Sequence, residues 1–231
     1  RLVAEDRAEG FLILTFLPIA PGDVAPLIWA GVPFVLVNRH FGANPVNCVV
    51  VDFAAAMSGA VDHLVRLGHR RIATLLPDDA WSAIQDRASG WREGVRRNGL
   101  AEAAAPIIHF ALPEGEAGHA LGRRLLTGGL PGSGSVPTAI VGYNDFCAHG
   151  VLAAAAELGV AVPSSLSVIG FDDIIAPYTS PPLCSYGPAP LALGMAAVDR
   201  LVLLLAGGNP EPTRTALSAE LVCRGTCGAP P

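Results

Sequence analysis

The sequence contains no lysine: all 15 basic residues are arginine, against 20 acidic residues, for a formal net charge of −5 over 231 positions. An acidic chain without a basic run offers no footprint for a phosphate backbone, so tight nucleic-acid binding by this polypeptide alone is excluded. Long apolar runs are missing too. Hydrophobic residues make up 51% of the chain and mean hydropathy is +0.45, yet no window of about 18 uncharged apolar residues occurs, the length a membrane span needs. The apolar content therefore belongs to a core. Cysteines are few and odd in number (Cys48, Cys147, Cys184, Cys223, Cys227) and mostly sit among apolar residues. That pattern reads as free thiols in a reducing compartment, the cytoplasm, rather than a disulfide framework. The spacing in "CRGTC" does not fit a CxxC pair, and no histidine pair at ligand spacing accompanies it, so neither a metal nor a cofactor is expected. GxSxG and HExxH are absent as well. The Gly-rich "GGLPGSGSVP" (128 to 137) lacks the Lys-Ser/Thr of a phosphate-binding loop and reads as a surface linker. No catalytic residues, and no enzyme, are expected.

What is present is a regular alternation. Apolar runs rich in Val, Ile, Leu and Phe recur as "FLILTF", "PFVLVN", "CVVVDF", "RIATLL", "PIIHFAL", "TAIVGY" and "LSVIGF". They are continuous rather than alternating, which predicts parallel strands covered on both faces. Between most of them lie amphipathic segments: "AAMSGAVDHLVRLGH" (55 to 69), "DRASGWREGVRRNGL", "EAGHALGRRLLTGG" and "DFCAHGVLAAAAELG", each closing near a glycine. Strand, helix, strand in order predicts a doubly wound α/β architecture. The opening "RLVAEDRAEGFLIL" reads as the end of a helix running into a strand, as expected of a piece of a longer protein.

In such sheets ligands sit outside the carboxyl ends of the strands. Those ends carry Asn38 and Arg39, Asp52, Asp78 and Asp79, Asn144 and Asp145, Asp172 and Asp173, with Trp81, Tyr143, Phe171, Tyr178 and Tyr186 nearby. Short acceptors that grip hydroxyls, beside aromatic faces that cover ring carbons, suit a small polyhydroxylated molecule. The structural alternative for each Asp or Asn is the N-cap of the next helix. Asp52, Asp145 and Asp173 fit that role as the residues nearer their helices, which leaves Asn144 and Asp172 for a ligand. Arg87, at the expected opening of a helix, works against the dipole there and calls for an anionic or hydroxyl-rich partner, or else a surface pair with Asp86 or Glu93. Trp91 reads as core, Trp81 as a candidate lining residue, and the histidines as core or helix surface.

The segments "GVPFVLVNR", "HLVRLGHRRIATL", "DRASGWREGV", "PTAIVGYNDFCAHGVLAAAAELGVAVPSSLSVIGFDD", "SPPLCSYGPAPLALGMAAVDRLVLLLAGG" and "ELVCRGTC" occur in the order found in the LacI/GalR family of bacterial transcription regulators. The chain resembles the effector-binding domain of that family nearly end to end. The resemblance implies a type I periplasmic-binding-protein-like α/β fold of two lobes, with the DNA-binding headpiece and the first strands absent. Residues 1–52 plus 190–216 would form the N-terminal lobe and 53–189 plus 217–231 the C-terminal lobe, with crossings near Phe53, Pro188 and Leu217. The effector would sit between the lobes. The ligand contacts so implied are Arg87, Asn144 and Asp172, with Trp81, Ala83 and Asn38 also lining the site; Tyr143 and Phe171 join them from the strand-end reading. Two positions depart from the family pattern: Pro188 stands in place of a glutamine, and Pro113 or Leu112 in place of an aromatic.

The function so implied is a cytoplasmic sensor of a small effector, a sugar or nucleoside, that modulates DNA binding by a separate helix-turn-helix domain. A homodimer is implied as well, and the apolar helix 194–208 is the face to examine for it, with a core role for most of its leucines as the alternative. A transport-type sugar-binding protein of the same fold is the competing expectation; the free cysteines and the "GFDD" and "LVCRGT" segments favour the regulator.

Overall fold

The computed structural model describes residues 8–15, 19–42, 45–79, 81–111, 113–187, 190–208 and 211–231. The expected helix end at residues 1–7, and the departures at Leu112 and Pro188, lie outside them; Pro113 stands immediately before a helix. Contacts divide the chain into two compact units, Arg1–Asp52 with Trp81–Ala83 and Pro188–Ser218, and Phe53–Ala80 with Ile84–Gly187 and Ala219–Pro231.

In the first unit, strands β1 (Phe11–Leu14), β2 (Phe34–Val37) and β3 (Cys48–Val51) are followed, much later in the chain, by a strand at Arg214–Leu217. All four pair in parallel, in the order just given. Helix α1 (Pro21–Trp29) places Val24 and Leu27 against Phe34, Leu36, Cys48 and Val50. Proline at its first position suits the start of a helix, where no intrahelical bond is lost. Strands β2 and β3 are buried throughout, as their continuous apolar runs predict. Strand β1 is not. Lying at the edge, it alternates half-buried and exposed residues and leaves Leu12 and Leu14 open.

The second unit opens with α2 (Phe53–Arg66), β4 (Ile72–Pro77), α3 (Ser82–Arg97), β5 (Ile107–Phe110) and α4 (Glu114–Gly128). It continues through β6 (Ala139–Val141), α5 (Asp145–Glu157), β7 (Ser167–Phe171) and β8 (Cys184–Gly187). The chain then contributes α6 (Pro190–Leu205) and β9 (Arg214–Leu217) to the first unit, and returns as β10 (Glu220–Val222). The sheet order is β10-β8-β7-β6-β4-β5, parallel except for the antiparallel β10. Leu75, Ile140, Val168, Leu125 and Val151 are fully buried in its core.

Helices α4 and α5 meet backbone to backbone, which dictates their glycines. A Cβ at Gly118 would lie 2.1 Å from the Cys147 carbonyl oxygen, and one at Gly150 would lie 2.2 Å from that of Gly115. No other residue fits such a crossing. One buried polar group is well employed: His69, 0% exposed, contacts Thr138 Oγ1 at 2.8 Å through Nδ1, and Ser167 Oγ at 3.0 Å and the Gly228 carbonyl at 2.9 Å through Nε2. This is the histidine of "LGHRRIA", and it anchors the C-terminal segment beneath β6 and β7. Trp91 is core as expected, its indole N–H donating to the Ala105 carbonyl at 2.9 Å.

Candidate functional site

The polar residues predicted to end the strands do stand there, and three of them adopt left-handed backbone: Asn38 (φ 56°), Asp172 (φ 92°) and Asp173 (φ 52°). Non-glycine residues reach that region at a cost, so it survives only where the surroundings enforce it. For Asp172 and Asp173 the enforcing contacts are visible. The Asp172 amide donates to the Tyr186 carbonyl at 2.9 Å, the Asp173 amide to Ser185 Oγ at 3.3 Å, and Arg224 grips the Asp173 carboxylate.

Arg87 is the centre of the second unit's cluster. It is only 3% exposed, and its guanidinium carbon lies 3.5 Å from the Phe53 ring centroid, 4.7 Å from that of Tyr143 and 5.3 Å from that of Phe171. The Asp172 carboxylate is 4.0 Å from Nη2. Three π faces and one carboxylate therefore hold a buried cation, each desolvated face contributing up to about 2 kcal/mol. Burial pushes the Asp172 carboxyl above its usual range; the neighbouring Arg87 pulls it back down, and Asp145 and Glu114 add to the rise. Helix α3 starts at Ser82, so Arg87 lies beyond its first turn, and aromatic rings and Asp172 supply the compensation expected there. The surface alternative fails, since Arg87 is buried and Glu93 pairs with Arg96 at 2.6 Å.

Arg87, Asp172, Tyr143 and Phe171 are thus brought together. Phe171 is 1% exposed and stacked on Tyr186 with centroids 5.1 Å apart, so it acts from beneath the guanidinium. Asn144, next to Tyr143, has a role the sequence assigned to its neighbour. It is the N-cap of α5, its Oδ1 accepting from the Cys147 amide at 2.9 Å. Asp145 is no cap. Its buried Oδ2 accepts from the amides of Ile174 (2.8 Å), Ile175 (3.1 Å) and Ala176 (3.2 Å), while Oδ1 accepts from Ser185 Oγ at 2.6 Å. Asp173 is likewise an ion-pair partner rather than a cap. Sequence reasoning missed Phe53, although an aromatic opening the helix after β3 is a legible signal; Asp145 as the clamp of the loop after β7 leaves none.

Asn38 and Trp81 belong to the first unit. Asn38 Oδ1 accepts from the Val51 amide at 3.1 Å, which ties the end of β2 to β3. The Arg39 guanidinium covers the Trp81 ring at 4.4 Å and donates to the Asn38 carbonyl at 3.1 Å, and Ser82 Oγ accepts from the His40 amide at 3.2 Å. The buried Trp81 indole N–H has no hydrogen-bond partner among the described residues, an arrangement that usually costs stability. Among the described residues no group of three or more His, Cys, Asp or Glu side chains could hold a metal ion, and no helix is long and apolar enough to cross a membrane.

Residues 61–227 match the periplasmic binding protein-like domain. The chain is 36% identical over 208 residues to the HTH-type transcriptional regulator reg1 of Streptomyces lividans, covering 87% of this chain and 58% of that protein. It therefore spans somewhat over half the length of the curated relatives it matches. Among solved structures, a regulatory protein of the LacI family from Chloroflexus aggregans superimposes with a TM-score of 0.87 at 30% identity, covering 98% of this chain and 79% of the other. The transcriptional regulator CelR in complex with cellobiose gives a TM-score of 0.81 at 27% identity, with 97% and 67% covered. With the α/β architecture, the strand-end cluster and these similarities together, the chain belongs to the LacI/GalR family of transcriptional regulators, as its periplasmic-binding-protein-like domain.

Proposed function

We propose that this domain senses a small polyhydroxylated effector, a sugar or nucleoside-like molecule, and that in the intact regulator the bound effector modulates DNA binding by a helix-turn-helix domain. One observation carries the reading: the Arg87 guanidinium, stacked on Phe53 and 4.0 Å from Asp172, at the carboxyl ends of parallel strands. A buried cation and a carboxylate at that spacing offer donors and acceptors to vicinal hydroxyls, and the Tyr143 ring offers an apolar face to ring carbons. Asn144 would contribute its amide N–H2, since its oxygen serves the helix cap. Phe171 would act through Arg87. Asn38 and Trp81 are kept as candidate ligand residues of the first unit by itself, where the Trp81 indole N–H has no acceptor among the described residues. The relative with cellobiose bound supports the ligand class. Lobes with the boundaries named above, and a cytoplasmic location, belong to the same proposal.

A homodimer is part of it. On α6, Leu191, Met195, Val198, Val202 and Leu205 are exposed at helical spacing while Leu193 and Ala197 face inward, so most of that helix's apolar residues are not core. On the second unit Phe146, Ile174 and Tyr178 are exposed. Sedimentation of a dilute sample as a monomer would overturn the dimer for this chain.

The effector reading is tested by thermal-shift measurements against mono- and disaccharides, sugar phosphates and nucleosides. A ligand at about 100 times its dissociation constant adds about 2.7 kcal/mol of stability. The expected result is one compound that raises the melt and loses its effect with Asp172→Asn or Arg87→Lys; a shift that survives both substitutions places the ligand elsewhere.

A further inference from the structure

Three of the chain's cysteines meet at one place that the effector reading does not use. Cys184 opens β8 and is 0% exposed; Cys223 directly follows β10 and is exposed; Cys227 lies half-buried in the C-terminal segment. In the antiparallel β8–β10 ladder Val222 is opposite Ser185, so the next opposed pair is Cys223 and Cys184. Directly opposed residues in such a ladder stand about 4.5–5.5 Å apart at Cα, within the range a disulfide spans. The thiols of Cys223 and Cys227 are both hydrogen-bonding neighbours of the Cys184 sulfur. The segment is also held in register: the Arg224 amide donates to Cys184 Sγ at 3.0 Å, the Cys184 amide donates to Thr226 Oγ1 at 2.8 Å, and Thr226 Oγ1 donates to the Val168 carbonyl at 2.7 Å.

We infer that Cys184 and Cys223 form a redox-active dithiol, in which exposed Cys223 captures a small-molecule disulfide and buried Cys184 then closes an intramolecular disulfide. The two sulfurs divide the work by environment. Beside Cys227, and with the Arg224 amide donating to its sulfur, the Cys184 thiol is drawn well below its usual range despite burial, whereas burial and the neighbouring Cys184 charge raise the exposed Cys223 thiol. From α2, His63 and Arg66 also bear on this cluster. Cys147 and Cys48 behave oppositely: burial pushes both thiols up, Cys147 to about 12, and leaves them inert.

The chemistry balances. The Cys223 sulfur, as thiolate, attacks one sulfur of the small disulfide, forming a mixed disulfide and releasing one thiolate, which takes up the proton Cys223 lost. The Cys184 thiolate attacks the Cys223 sulfur and expels the second. The protein loses two electrons and the proton of Cys223; the second expelled thiolate takes its proton from water, so the small disulfide becomes two thiols.

The test incubates the reduced chain with oxidised glutathione and maps disulfides by mass spectrometry after digestion. The expected product is lighter by two hydrogens and links Cys184 to Cys223. Cys223→Ser, a change at an exposed position, abolishes the link, and Cys184→Ser arrests the reaction with glutathione on Cys223. Cys227→Ala slows closure by about tenfold near neutral pH, because an unassisted thiol is only a few per cent ionised there. A link that maps to Cys227, a wild-type chain that stops at the mixed disulfide, or an unreactive Cys223 each overturns the inference.

Discussion

Arg224 and Asp173 form a two-bond clamp: Nη1 lies 2.6 Å from Oδ1 and Nη2 3.1 Å from Oδ2, with both side chains about four-fifths buried. The arginine belongs to the "LVCRGT" segment that runs out of β10 and the aspartate to the "GFDD" segment that ends β7, so two motifs far apart in sequence meet in one ion pair. Planar pairing of this kind fixes orientation as well as charge.

Removing one partner strands the other. Arg224→Met is expected to lower unfolding stability by about 1–3 kcal/mol, read as a reduced urea midpoint at unchanged slope, because Asp173 keeps its partly buried charge and left-handed backbone without compensation. Arg224→Lys recovers only part, since an ammonium cannot make both bonds in parallel. Equal midpoints for Met and Lys would show that packing of the stem, not the fork, supplies the stability.

Asp145 is the second support of the same turn. Asp145→Ala leaves three loop amides without an acceptor, at about 1–3 kcal/mol for each that water cannot reach, whereas Asp145→Asn keeps one oxygen for the loop and turns its N–H2 toward Ser185. Asn is expected to be clearly the milder change in chemical denaturation, and amides of residues 174–176 to exchange faster with solvent in Ala than in Asn. Similar losses from both would mean that the charge, rather than acceptor geometry, holds the loop.

Much of the fold was legible because the central strands are buried on both faces and say so in unbroken apolar runs, as β2, β3, β4 and β7 do. The elements that escaped are those whose residues answer to other demands. Helix α1 carries Pro21 and Pro26; β9 is an almost wholly exposed edge; β10 has three residues and pairs only with β8. At the candidate site the residue types were readable, but the division of labour in "ND" was inverted. From sequence the residue nearer the helix reads as the cap, yet Asn144 keeps extended backbone (φ −146°) and caps α5, which frees Asp145, already helical, to reach the loop after β7. No local pattern encodes that reach, because the amide donors it accepts from lie about thirty residues downstream.

Acidity should weaken the fold through histidine. Burial holds His69 below its unperturbed value of 6.5, and burial together with Arg66 does the same for His63. With folded values depressed, the unfolded chain binds the extra protons, so their contribution is fully present above the unfolded value and is lost as pH falls below it. A falling denaturation midpoint from about pH 7 to about pH 5 is expected, with a shallower slope in His63→Gln. Asp172 acts in the opposite sense in a lower window: its folded value lies above 3.8, so its stabilising contribution is present below that value and is lost as pH rises through the folded one. A midpoint that holds level or climbs between neutrality and mild acid would rule out the histidine account.

Two glycines of α4 should respond to alanine with opposite sign. Alanine is intrinsically favoured over glycine within a helix by about 1 kcal/mol. At Gly128, where an added Cβ meets nothing within 4 Å, that preference is expected to appear as a small rise in melting temperature. At Gly118 the same Cβ would sit 2.1 Å from the backbone carbonyl of Cys147, and backbone cannot rotate away as a side-chain tip can. Relief requires α4 and α5 to separate along their crossing, which opens the apolar contacts of Leu125 and Val151. Gly118→Ala is therefore expected to lose about 2 kcal/mol or more despite its better helix propensity. If it melts at or above the parent temperature, the helices do not cross as closely as described, and the glycines of "EGEAGHALG" answer to something other than helix packing.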